Sequence, residues 1–146
     1  MSTSGQSVLV TGASGFIGGH LVRALIARGA RVSCLVRATS RVDELRAAGA
    51  RIVACDLADR AAIARAIAMA NARVVFHLAG RVLALDANAF AQVNAAGVET
   101  VAQACVDQPE RPVLVLASSV AAAGPSAQRP RLESDPPTPV SDYGRS

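Results

Sequence analysis

A chain of 146 residues is long enough for one domain with one core, burying roughly two-thirds of the surface its unfolded form exposes. Hydrophobic residues make up 51% and aromatic ones only 3%, a balance suited to aliphatic strands covered by alanine-rich helices. The net charge of +4 rests on fifteen arginines and no lysine. They are scattered singly, which argues against a nucleic-acid surface, and the missing lysine excludes a P-loop.

Cys34, Cys55 and Cys105 are odd in number, widely spaced and set in apolar segments. They read as small buried hydrophobes in a reducing, cytoplasmic setting, not as a disulfide frame or metal site. The polar residues Met1 to Gln6 lead straight into a strand pattern and do not read as a signal peptide. Arginines interrupt every candidate membrane span, so no membrane partner is expected.

In chain order, Val8-Leu9-Val10 reads as a short buried strand. Glycines at 12, 15 and 18 then open into a helical pattern, with Phe16, Ile17, Leu21, Leu25 and Ile26 expected on one face. Gly29 suits a left-handed helix stop. A strand, a glycine turn and a helix start form an anion site, because orphan backbone N–H groups and the positive end of the helix dipole point over the turn. In the dinucleotide fingerprint the first glycine permits the turn, the second admits a pyrophosphate and the third lets helix and strand approach. The alternative is a strand–helix turn that uses glycine for shape alone.

The second strand spans Arg31 to Val36 and ends at Arg37. An acidic residue at this strand end binds a ribose 2′-hydroxyl, whereas an arginine suits a 2′-phosphate; a plain surface arginine is the other reading. Ser40 is placed as the cap of a helix through Val42, Leu45 and Ala48, ending at Gly49. The third strand is Arg51 to Ala54, followed by Cys55-Asp56-Leu57 and by Asp59 as the cap of a helix from Ala61 to Ala70. Arg73 to Leu78 is the fourth strand, with His77 read as packed structure, and Ala79-Gly80 follows it. A long helix is expected from about Ala87 to Val106. The fifth strand is Val113 to Ala117, ending at Ser118-Ser119. Five of the seven prolines lie beyond Gly124, a texture that by itself reads as a linker.

The run Thr11-Gly12-Ala13-Ser14-Gly15-Phe16-Ile17-Gly18 resembles the cofactor loop of the extended short-chain dehydrogenase/reductase family, which includes epimerases, dehydratases and dihydroflavonol-type reductases. His77-Leu78-Ala79-Gly80 is similar to the family's fourth strand end, and Asn94 with Gly97 matches its Asn-x-x-Gly-Thr helix in part, since Glu99 precedes Thr100. Near the C-terminus, Pro139-Val140-Ser141-Asp142-Tyr143-Gly144-Arg145-Ser146 resembles the approach to the family's catalytic tyrosine helix, with Glu133 and Pro137 at looser spacing.

The resemblance implies a doubly wound, three-layer α/β fold of Rossmann type, with parallel strands in the order 3-2-1-4-5. It implies a dinucleotide-binding domain over residues 1–124 and, over 125–146, a proline-rich loop leading to the tyrosine helix. Implied cofactor contacts are Gly12, Ser14, Gly15, Phe16, Ile17, Gly18, Arg37, Asp56, Leu57, Leu78, Ala79, Gly80, Asn94 and Ser118. Arginine at position 37 points to NADP, with NAD also possible. Asp56 would accept from the adenine amino group, although a helix-start aspartate is the plainer alternative.

The family reaction is hydride transfer on a sugar nucleotide or a small carbonyl or alcohol. It assigns Tyr143 as acid/base and Ser119 as the hydroxyl holding the developing oxyanion. A free tyrosine has a pKa of about 10, and the family lowers it with a lysine four residues on. That position is the one after Ser146, so the chain reads as the first half of an enzyme and is expected to be inactive alone. A homo-oligomer, or self-association through the apolar fifth strand, is expected. A non-catalytic NAD(P)-sensing module is the competing reading.

Overall fold

The computed structural model describes residues 5–84, 86–126 and 129–146, so the reading of the first four residues lies outside it. In chain order the elements are β1 (Ser7–Thr11), α1 (Phe16–Ala27), β2 (Arg31–Val36), α2 (Asp43–Ala47), β3 (Arg51–Ala54) and α3 (Arg60–Ala70). They continue with β4 (Val74–His77), α4 (Ala87–Val93), α5 (Ala95–Val106), β5 (Val113–Leu116), α6 (Val120–Ala123) and α7 (Asp142–Arg145). Among the described residues the strands form one five-stranded sheet, ordered β3-β2-β1-β4-β5 and parallel throughout. This is the doubly wound order expected from the sequence, with its switch point between β1 and β4.

Alternation along β1 divides the core. Val8 and Val10 point to one face and join Val22 and Leu25 of α1 and Leu45 of α2. Leu9 points to the other, with Leu35, Val75, Ile63 and Ile67 of α3, and Val101, Ala104 and Cys105 of α5. Every residue of β1 is buried, which accounts for its apolar run.

Asp59 caps α3 as read, its Oδ1 accepting from the Ala62 N–H at 2.8 Å. Such a cap contributes about 1 kcal/mol. Asn71 ends α3 in the left-handed region at φ 47, and Gly29 does the same beyond α1 at φ 80.

Three expectations are corrected. Ser40 does not cap α2; the helix begins after Val42 without a side-chain cap. The long helix breaks into α4 and α5 at Asn94. The buried face of α1 is Gly18, Val22 and Leu25, while Phe16 and Ile17 are exposed, because the close seat of Gly18 on the turn rotates the first two residues outward.

At the sheet edge, Leu114 of β5 packs on the second cluster. Val113 and Val115 lie opposite Val74 and Phe76 on the other face and are exposed, at 62% and 40%.

Candidate active site

The glycine turn is fixed by close backbone contact. Gly12 has φ +68, and a Cβ on it would stand 2.6 Å from the Ala79 nitrogen and the Leu78 carbonyl carbon. Any other residue would push apart the ends of β1 and β4. A Cβ on Gly18 would overlap the Gly12 carbonyl oxygen, so this glycine shapes the turn from beneath. Gly15 is the N-cap of α1 and offers no side-chain oxygen to the first-turn N–H groups. They remain available to an anion above the turn.

A crevice of about 670 Å³ runs across the carboxyl ends of the strands. Gly12, Ser14 and Gly15 form its floor, while Arg37 and Ser40 stand at the end of β2, and Asp56 and Leu57 beyond β3. Leu78, Ala79, Gly80 and Arg81 line it at the end of β4. These include nine of the residues that the sequence assigned to a cofactor; Phe16, Ile17, Gly18, Asn94 and Ser118 do not line it. Phe16 and Ile17 are exposed at the start of α1, where their backbone N–H groups belong to the helix's first turn.

One wall was not legible in the sequence: Gln92 and Val93 of α4 and Ala96, Gly97 and Thr100 of α5. In the sequence Gly97 stands out only through the asparagine motif, and the others belong to a long helical stretch. Cys55 also lines the crevice and is not fully buried; partial burial, then the nearby Asp59 and Asp56 carboxylates, push its thiol up.

Contacts behind the crevice hold these walls. Thr11 Oγ1 lies 2.7 Å from His77 Nδ1 and accepts the Ala79 N–H at 3.2 Å. One hydroxyl thereby ties β1 to the backbone that follows β4. His77 Nε2 is buried without a hydrogen-bond partner among the described residues, and burial pushes the imidazole below its usual pKa. Asp56 Oδ1 accepts the Ala58 N–H at 3.0 Å, which orients the carboxylate beside the crevice. Arg37 is exposed, with no side-chain hydrogen bond among the described residues, and its carbonyl accepts the Ser40 N–H at 2.9 Å in a tight turn.

Asn94, at the break between α4 and α5, acts as a clamp. Its Oδ1 accepts the Arg81 N–H at 2.7 Å, and its Nδ2 donates to the Arg81 carbonyl at 3.0 Å and to Ser146 Oγ at 2.9 Å. Ser118 is exposed just past β5. Ser119 caps α6, its Oγ accepting the Ala121 N–H at 3.2 Å. Tyr143 lies on α7, half-buried, with its ring centroid 5.9 Å from that of Phe90.

Residues 8–146 match the family described as NAD dependent epimerase/dehydratase. The chain belongs to that family. It is 36% identical over 133 residues to the 4-hydroxy-2-methyl-3-oxo-4-farnesyl-3,4-dihydroquinoline-1-oxide ketoreductase of Stigmatella aurantiaca, covering 90% of this chain and 38% of that one. It is 37% identical over 127 residues to the ceramide reductase of Caulobacter vibrioides, covering 86% and 39%. The UDP-glucose 4-epimerase of Thermus thermophilus, solved with NAD, matches at a TM-score of 0.83 and 34% identity over 94% of this chain and 46% of that one. The chain therefore spans less than half the length of these relatives.

As an epimerase/dehydratase-family domain, the structure fits a nicotinamide dinucleotide. The crevice crosses the switch point, and beside the glycine turn the first N–H groups of α1 carry no side-chain cap. Among the described residues no helix is long and apolar enough to cross a membrane.

Proposed function

We propose that this chain is the NADP-binding part of a carbonyl reductase. The observation that carries the reading is the crevice over the β1–β4 switch point, with the guanidinium of Arg37, unpaired among the described residues, at one end and no acidic residue at that strand end. Residues 1–124 would hold the dinucleotide, and residues 125–146 would bring the tyrosine to it. Gly12 and Gly15 with the first N–H groups of α1 would hold the pyrophosphate, and Arg37 with the Ser40 hydroxyl the 2′-phosphate. Asp56 would accept from the adenine amino group, while Leu78 to Gly80 would lie against the nicotinamide half. The two reductases at 36% and 37% identity favour reduction of a ketone over sugar-nucleotide chemistry.

When bound, NADPH supplies the hydride. The chain's own groups handle the proton and the charge. Ser119 Oγ already accepts the Ala121 N–H, so its proton is free to point at a carbonyl oxygen. The Tyr143 hydroxyl gives its proton to that oxygen as it becomes an alcohol.

Calorimetric titration with NADP and NAD tests the cofactor assignment. A charge-assisted hydrogen bond contributes about 1.5–3 kcal/mol, so Arg37→Ala is expected to weaken NADP roughly 10- to 100-fold while leaving NAD unchanged. An unchanged NADP-to-NAD affinity ratio would remove Arg37 as the selector.

A further inference from the structure

The proposed mechanism needs Ser119 and Tyr143 at a fixed separation, yet they sit on short helices joined by a long proline-rich loop. The contact that joins these helices is unusually close. Gly144 follows the tyrosine directly, and a Cβ on it would overlap the Ala121 carbonyl oxygen, with the carbonyl carbon at 3.0 Å and Pro139 Cβ at 3.2 Å. Its φ lies outside the left-handed region, so the backbone does not demand glycine; the space does. The opposing atoms are largely backbone and cannot swing aside.

Ala121 is also the residue whose N–H the Ser119 hydroxyl holds. A single residue is therefore gripped on its N–H side by the serine and touched on its carbonyl side by the neighbour of the tyrosine. Three further contacts orient α7: Asn94 donates to Ser146 Oγ at 2.9 Å, Ser141 Oγ accepts the Gly144 N–H at 3.1 Å, and the Tyr143 ring lies 5.9 Å from that of Phe90. The Thr138 N–H also donates to the Ala123 carbonyl at 3.0 Å, which ties the segment before α7 to the end of α6, while the contact at Gly144 governs how near α7 itself lies.

We propose that Gly144 is a positioning residue: by letting α7 rest on the Ala121 carbonyl, it sets the distance between the Tyr143 hydroxyl and the Ser119 hydroxyl. Gly144→Ala forces α7 back by about 1 Å, a misplacement that costs a reacting group on the order of a hundredfold in rate. The functional importance rests on the roles proposed for Ser119 and Tyr143; the geometric claim does not.

The test separates the two. Tyr143 is the sole tyrosine and tryptophan is absent, so intrinsic fluorescence and tyrosine ring resonances report this residue alone. In Gly144→Ala, the proposal expects a weakened ring–ring NOE between Tyr143 and Phe90 and stronger acrylamide quenching, with NADPH affinity and cooperative melting kept. An unchanged NOE and unchanged quenching would overturn it. Global unfolding of Gly144→Ala would overturn it too, because the glycine would then anchor the whole domain instead of the tyrosine. Tyr143→Phe in the full-length protein tests the chemistry separately. Turnover surviving there, with Tyr143 displaced in Gly144→Ala, would leave the positioning intact and remove the catalytic role.

Discussion

Thr11→Val would probe the joint between β1 and β4. Thr11 is fully buried, and its hydroxyl serves two groups, His77 Nδ1 and the Ala79 N–H. Whichever ring nitrogen carries the proton, a hydroxyl with one proton and two lone pairs satisfies both partners. Valine keeps the shape and removes the oxygen. His77 then has neither ring nitrogen partnered in a site where the residue is 1% exposed. An orphaned buried polar group costs about 1–3 kcal/mol, and the Ala79 N–H adds less because it borders the crevice and water can reach it. A net loss of about 2–3 kcal/mol lowers Tm by roughly 5–10 °C for a domain near this size. Thr11→Ser keeps the oxygen and loses one methyl, about 1 kcal/mol. Thermal unfolding followed by far-ultraviolet circular dichroism orders the three proteins. If Thr11→Val melts with wild type, or above Thr11→Ser, the hydroxyl is not what holds the joint.

Stability should fall away on both sides of neutrality. Burial holds the His77 pKa below the usual value, so below about pH 6.5 the unfolded chain binds a proton that the native state refuses, and stability drops with falling pH. Burial pushes the Cys34 thiol up to about 12, so above pH 9.0 the unfolded chain releases a proton that the native state keeps, and stability drops with rising pH. The alkaline slope from this thiol is about 1.4 kcal/mol per pH unit. Denaturant melts across pH should show it, and Cys34→Ala should flatten that limb; an equal slope in the variant would refute the assignment. The exposed Val113 and Val115 on an edge strand lead us to expect concentration-dependent association of the 146-residue chain. Sedimentation should show weaker association in Val115→Asp, whereas a monomer at every concentration would dismiss the edge as a contact.

The sheet was legible in the sequence because its signals are local. Each strand is a short aliphatic run rich in valine or isoleucine, and polar, charged or glycine residues follow within a few positions. Asp59 is the clearest case, since an aspartate three residues before a free N–H has one obvious use. The glycine turn was equally legible, because Gly12 at the crevice floor and Gly18 beneath it stand where close backbone leaves no room for a Cβ. What the sequence hid depends on tertiary placement. Apolar periodicity ran unbroken from Ala87 to Val106, and only the clamp of Asn94 on Arg81 shows why the helix breaks there. Val93 belongs to that apolar helical pattern, yet with Ala96 it lines the crevice wall. Phe16 and Ile17 erred the other way, as apolar residues at helical spacing that ended up in solvent.

The half-open state of β5 sets a gradient of amide protection across the sheet. Strand β1, buried along its whole length between two neighbours, exposes its amides only when the whole domain opens. Strand β5 is paired on one side and bare on one face, so its amides exchange through a smaller and more frequent opening. Ser119 lies just beyond that edge strand, as the N-cap of α6. Covering Val113 and Val115 and steadying the serine are then a single equilibrium: whatever packs on β5 quiets the hydroxyl as well.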